Sequence, residues 1–266
     1  MDYQPLGPDM FYPSGKDELN ESIASSLKHA RESLPELPEG LRVLVIPHGW
    51  YEYIQPVLAS AWAAASRNPC SRIVLLLPVH TPEPETRHGL YIPPLKQLSC
   101  PLGECPVEFP EGTGSIKRDS RYFLEEPALD NPLPFIMHAF PGVPVLPLFV
   151  PGNTSQHAES LAAFLQQTDT PETLYVISSN MSSLLPVEKG CGHSQRLCSL
   201  LGSPDNRKAH LPLLEPWKKG EISPCNPVSL EALRRTAMLS GPYHVLGLTR
   251  SAGQGGKTVF YGALIG

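Results

Sequence analysis

Apolar positions along the chain follow two alternating periods. After Phe11-Tyr12-Pro13-Ser14, the residues Leu19, Ile23, Ala24, Leu27 and Ala30 recur every three or four positions, the stripe of an amphipathic helix. Ser14 is placed as its cap with Asp17 three residues later, and Pro35 and Pro38 close it. A strand over 42–46 follows, then an Ala-rich helix over 56–66 and a continuously apolar strand over 72–77. Strand, helix and strand within about thirty residues make a βαβ unit, and uninterrupted apolar strands belong to a parallel sheet covered on both faces.

The same alternation returns downstream. Strands over 143–149 and 173–178 flank a helix over 155–166 whose apolar positions are Ala158, Leu161, Ala162 and Leu165. A helix over 229–239 leads into a strand over 244–249. Gly253-Gln254-Gly255-Gly256 then turns the chain into a last strand over 258–265, an antiparallel edge pair with the one before. The polar, weakly patterned stretch 202–221 reads as an insertion or loop-rich helix. No repeat or shift in composition marks a boundary, so the expectation is a single α/β domain over residues 1–266, with a central, mostly parallel sheet and helices on both faces.

Composition narrows the partners. A net charge of −5 with 18% charged residues offers nothing to nucleic acid or to an anionic membrane. Apolar runs such as 73–77 fall far short of the roughly 20 residues of a membrane helix, and no signal-peptide pattern opens the chain, so a soluble, cytoplasmic protein is expected. Six cysteines without a CxxC pair read for the most part as buried thiols rather than a disulfide framework.

Ligand crevices of open α/β sheets lie beyond the C-terminal ends of the strands. His48 stands there after the first strand, His80 after the second in Leu76-Leu77-Pro78-Val79-His80, and Ser178-Ser179-Asn180 after a later one. These two strands read as neighbours about 5 Å apart, which sets their histidines side by side and suits a shared metal ion. Periodicity leaves the third ligand open among Cys225, His88, His138 and the acidic residues. Cys191-Gly192-His193 with Cys198 lacks a second ligand pair and reads as a loop with two ordinary thiols. The glycines at 253–256 precede a strand, which favours a turn over a phosphate cradle. No GxSxG elbow, P-loop or dinucleotide fingerprint is present, so no nucleotide-derived cofactor is expected.

Taken in order, several short pieces resemble the Memo-like proteins, also called protein B of AmmeMemoRadiSam systems. They are Phe11-Tyr12-Pro13, Val45-Ile46-Pro47-His48 with Tyr51 and Tyr53, Leu75 to His80, Pro101-Leu102-Gly103 with Pro106-Val107, Leu133-Pro134-Phe135, Ile177-Ser178-Ser179 and Ser223-Pro224-Cys225. The resemblance implies the fold of class III extradiol dioxygenases, non-haem iron enzymes that open catechol rings. It also implies a metal pocket on His48, His80 and Cys225. Two imidazoles and a thiolate form a softer set than two histidines and a carboxylate, which brings copper level with iron.

Departures from the family pattern are as informative. Where the family has Asp, an aromatic and, two residues later, His, this chain has Asn180-Met181-Ser182-Ser183, and Glu126-Pro127-Ala128 removes another histidine. Asp130 stands for a glutamate, and Trp50 for a glycine beside the first ligand, where its bulk would fill the cavity or stack on a flat substrate. General acid–base help is typically worth about 10²–10⁴-fold, and neither Asn180 nor Ser183 titrates near neutral pH to supply it. Two functions remain in view. One is a metal-binding redox or dioxygenase-type protein using iron or copper on a small aromatic or chelating substrate, with Trp50, Tyr51, Tyr53, Asn180 and Ser183 around the ions' ligands. The other is a catalytically degraded relative acting as a scaffold with AMMECR-type and radical-SAM partners. A zinc hydrolase is disfavoured, because no carboxylate is placed as general base.

Overall fold

The computed structural model describes residues 5–78, 80, 89–109, 116–123, 126–202, 212–236 and 242–266. Helix α1 (Lys16–Ser33) buries Leu19, Ile23, Leu27 and Ala30, the expected stripe, while Ala24 is half-buried. Its cap is Gly15 rather than Ser14. No side chain caps it, and the first bond runs from the Leu19 N–H to the Gly15 carbonyl. Strand β1 (Val43–Ile46) leads through Pro47-His48-Gly49-Trp50 into α2 (Tyr51–Ala65). That helix starts five residues before its expected position. Pro56, which reads as a helix start, lies on the exposed side of the second turn, and burial of Tyr51, Ile54 and Leu58 outweighs the hydrogen bond the proline removes.

Strand β2 (Arg72–Leu77) falls where expected. Beyond it lie β3 (Leu90–Ile92), the hairpin of β4 (Gln97–Cys100) and β5 (Gly103–Pro106), and β6 (Ile116–Arg118), followed by the short helices α3 (Pro127–Asp130) and α4 (Leu133–Ala139). The sequence pattern predicts none of these: the strands and α3 run to three or four residues, too few to show a period, and α4 spans only two turns. The second crossover then matches: β7 (Val145–Phe149), α5 (Ser155–Thr168) with Thr154 capping the His157 N–H, and β8 (Thr173–Ser178).

After the two-residue strand β9 (Leu185–Pro186), the segment expected to be a loop around Cys191 and Cys198 is helix α6 (Val187–Gly202). Its buried face, Gly190, His193, Ser194, Leu197 and Leu201, has helical spacing but is half polar, which hides it from an apolar count. Within 202–221 the described part contains α7 (Leu214–Lys218), while 203–211 lie outside the described residues. Helix α8 (Pro227–Arg235) begins two residues early, with Asn226 as its cap, and positions 237–239 of the expected helix lie outside the described residues. Strand β10 (His244–Arg250), the glycine turn, β11 (Lys257–Thr258) and β12 (Phe260–Ile265) complete the chain.

Eight strands form one sheet in the order β10-β12-β1-β8-β2-β7-β3-β6. The central run β1-β8-β2-β7 is parallel throughout, and β12 and β10 add antiparallel strands at one side. One expectation is corrected here: β8 lies between β1 and β2, so the strands that carry the two histidines are not neighbours. The expected antiparallel pair of β10 and β12 stands at one side of the sheet, with β10 outermost and β12 also paired with β1.

Side chains alternate between two cores. Leu44, Ile46, Ile73, Leu75 and Leu77 face α1, α2 and α4. Val43, Val45, Val74, Leu76 and Ile177 face α5, α6 and α8. Helices therefore cover both faces, and the C-terminal strand ends are left to carry the site. No helix among the described residues is long and apolar enough to cross a membrane.

Candidate metal centre

His48 lies two residues past β1 and is only 5% exposed. Its main-chain N–H donates to Asn180 Oδ1 at 3.1 Å, and its Nδ1 lies 2.9 Å from Ser178 Oγ. With Nδ1 engaged by Ser178, Nε2 is the ring atom that faces the cluster, and it meets Cys225 Sγ at 3.6 Å. His80, past β2, has 46% of its side chain exposed, and its Nδ1 meets both Glu126 oxygens at 2.9 and 3.0 Å. Glu126 is itself 5% exposed and accepts the Ala128 N–H at 3.0 Å as the cap of α3.

Two strand spacings would separate these histidines by about 9–10 Å. Their ring centroids are nevertheless 5.1 Å apart, with the planes at 74°. The strand between them ends in Ser178, whose hydroxyl meets His48 Nδ1.

Cys225 completes the group from the turn before α8. Its Sγ accepts the Asn180 N–H at 3.0 Å. The next residue fixes it from behind. Asn226 is buried; its Nδ2 donates to the carbonyls of Leu76 and Ser178 at 3.2 and 3.3 Å, its N–H donates to Ser179 Oγ at 3.2 Å, and its Oδ1 caps the Ser229 N–H. One side chain thus ties β2, β8 and the start of α8 together beneath the thiol.

One donor atom from each of His48, His80 and Cys225 falls within 4.8 Å of the others, a group able to hold a metal ion. The arrangement charges itself. Burial pushes the Cys225 thiol up, but the charge and hydrogen bond of His48, the hydrogen bond of His80 and the Asn180 N–H outweigh it and bring it down to about 6. For His80, the hydrogen bond to Cys225 and then that to Glu126 dominate, against the opposing effect of burial, and raise it to about 10. A thiolate beside an imidazolium is the result, and a metal cation would take the proton's place on His80.

The donors fit a transition metal. Both rings are oriented through Nδ1 by an oxygen partner, as metal-binding histidines usually are, and a thiolate with imidazoles suits copper, iron or zinc better than magnesium. The Glu126 carboxylate is spent on His80 and Ala128, which leaves it poorly placed to act as the base of a zinc hydrolase.

The other expected residues are placed as follows. Asn180 supports His48 and Cys225 through its carboxamide and its N–H. The Ser183 side chain is exposed, and its N–H donates to Ser223 Oγ at 3.3 Å. Tyr51 is a core residue. Its ring lies 5.2 Å from that of Tyr12, and its hydroxyl donates to the Asn131 carbonyl at 2.6 Å. Tyr53 is half-buried on α2. Trp50 is 55% exposed at the start of α2, so its indole does not seal the crevice. Of the alternative third ligands, His138 lies on α4 beside Asn20, and His88 lies outside the described residues. His193 faces Ser223 Oγ at 3.0 Å and is not part of the three-donor group. Sequence reasoning missed Asn226, although Asn-Pro ahead of an apolar stripe is a helix-start signal. It also missed the support given by Ser178 and Glu126, for which no local pattern exists.

The family model described as Memo-like protein matches residues 8–198. Among curated proteins, a MEMO1 family protein of Thermotoga sp. (strain RQ2) is 28% identical over 203 residues, covering 68% of this chain and 70% of the relative. One from Thermotoga neapolitana is 30% identical over 178 residues, 60% of this chain and 61% of the relative. One from Caldivirga maquilingensis is 23% identical over 198 residues, 70% of each.

Proposed function

This chain belongs to the Memo-like protein family, and from that premise we propose that it binds one iron or copper ion through His48, His80 and Cys225. One observation carries the reading. Three donor atoms lie within 4.8 Å while each imidazole is already oriented through Nδ1, by Ser178 and by Glu126. Bound there, either metal would supply Lewis acidity or electron exchange toward a small chelating or aromatic molecule.

The chain's own residues divide the remaining work. Cys225 offers a thiolate at neutral pH, and Asn180 and Asn226 hold it in place. Glu126 keeps the His80 ring turned toward the cluster. The half-exposed side of His80 is where a substrate would arrive, and the exposed Trp50 indole at the same end of the sheet offers a flat apolar surface to one.

Metal analysis of protein purified without added metal or chelator tests this reading. Stoichiometric iron or copper that disappears in both His48→Ala and Cys225→Ala is the expected result. A metal-free wild type that also refuses both metals on reconstitution would overturn it.

That second result would favour the other reading, a scaffold with partners of the AMMECR and radical-SAM classes. It is supported by the chemistry at 180 and 183, where an amide engaged in structural hydrogen bonds and an exposed hydroxyl stand in place of titratable groups.

A further inference from the structure

Tyr261 is 7% exposed, yet its hydroxyl makes no hydrogen bond with any described residue and is not sealed from solvent either. Other buried phenols behave differently. Tyr51 donates to Asn131, Tyr175 donates to Asp169 at 2.7 Å, and the unbonded hydroxyl of Tyr12 is sealed in the core. Buried polar groups are bonded in the great majority of cases, so a hydroxyl that lacks a protein partner yet is reachable is open to a water or to a ligand.

Its position says which one. β12 runs antiparallel to β1 with Leu44 opposite Ile265 and Val45 opposite Leu264, and that register carried on three residues sets Tyr261 level with His48. The phenol lies over the residue that follows His48. A Cβ placed on Gly49 would stand 3.3 Å from the Tyr261 hydroxyl oxygen and 3.5 Å from its ring. Gly49 has φ +148°, a conformation side chains rarely adopt, and the lack of a side chain there lets the phenol lie against the main chain next to His48.

We infer that the Tyr261 hydroxyl is the hydrogen-bond donor that would orient a small anion or oxygen-donor molecule bound at the site of His48, His80 and Cys225. This rests on the metal-binding reading above. The hydroxyl keeps its proton for the task, since burial raises its pKa above the ordinary tyrosine value and the charges of Tyr53 and Cys225 add to that. A donor at this place selects ligands with an acceptor atom on the β12 side of the crevice and gives nothing to a cation.

The test loads the full chain with cobalt(II) as a spectroscopic stand-in and titrates it with azide, a small anion that binds metals and accepts a hydrogen bond, in wild type and Tyr261→Phe. Cobalt affinity and thermal stability are expected to be unchanged in the variant, because the lost hydroxyl bonds to nothing in the protein. Azide binding is expected to weaken about tenfold or more, the usual worth of a hydrogen bond to a charged group. Equal azide affinity in the two proteins would overturn the role of Tyr261 while leaving the metal site standing, and so would a clear loss of stability, which would show that the hydroxyl has a structural partner. A wild type that takes up neither cobalt, iron nor copper would overturn both readings together.

Discussion

Cys225 and His80 shift each other's protonation, and the direction can be followed with pH. The thiol is held down at about 6 and the imidazole up at about 10, so in the metal-free protein the pair is charged between those values. A depressed thiol stabilises the fold above its unfolded pKa of about 8.5, and that contribution fades as pH falls through the folded value. The raised imidazole works in the opposite sense: its stabilisation is complete below about 6.5 and is lost as pH climbs through the folded value. Alkylation of Cys225 by iodoacetamide should therefore titrate near pH 6 in wild type. In His48→Ala the midpoint should move up toward the ordinary thiol value, and an unmoved midpoint would show that His48 is not the cause. Of these residues, His48 and His80 were legible in the sequence because each follows a buried strand. Cys225 was legible only through family resemblance, since 177 positions separate it from His48 and no local pattern spans that distance.

Among the elements, the long apolar strands and the helices with clean stripes were readable. What escaped was order: nothing local says that β8 inserts between β1 and β2, because strand neighbours are chosen by the whole fold. Helix α6 escaped for a different reason, its buried face being built from Gly190, His193 and Ser194 as much as from leucines. The tie between β2, β8 and α8 has a measurable worth. Asn226→Ala would remove the cap of α8 and strand two buried carbonyls, a combination that should cost about 2–4 kcal/mol. Chemical denaturation of the metal-free protein checks this directly, and a loss below about 0.5 kcal/mol, the level of an ordinary surface change, would show that the clamp is unimportant.

For the molecule as a whole, β1 and β2 each feed both cores, and a bound ion would add a link from their C-terminal ends to the turn before α8, beside the tie that Asn226 already makes. An ion that binds only the folded chain stabilises it by about 2.7 kcal/mol at a hundredfold excess over its dissociation constant. For a chain of this size that should raise the melting temperature by several degrees, on the order of 2–4 °C per kcal/mol. Differential scanning fluorimetry with and without metal measures the shift. It should vanish in Cys225→Ala, and a shift that survives there would place the ion elsewhere.

The family match ends at residue 198, before the thiol, and this late position of Cys225 has a consequence for how the protein is made. During synthesis the two histidines leave the ribosome long before their sulfur partner, and closing so long a segment of chain is slow because its entropy must be lost before the contact rewards it. A nascent or truncated chain thus offers only a weak pair of imidazoles. On the metal-binding reading, capture of an ion would wait until Cys225 has been made and the chain between it and the histidines has folded.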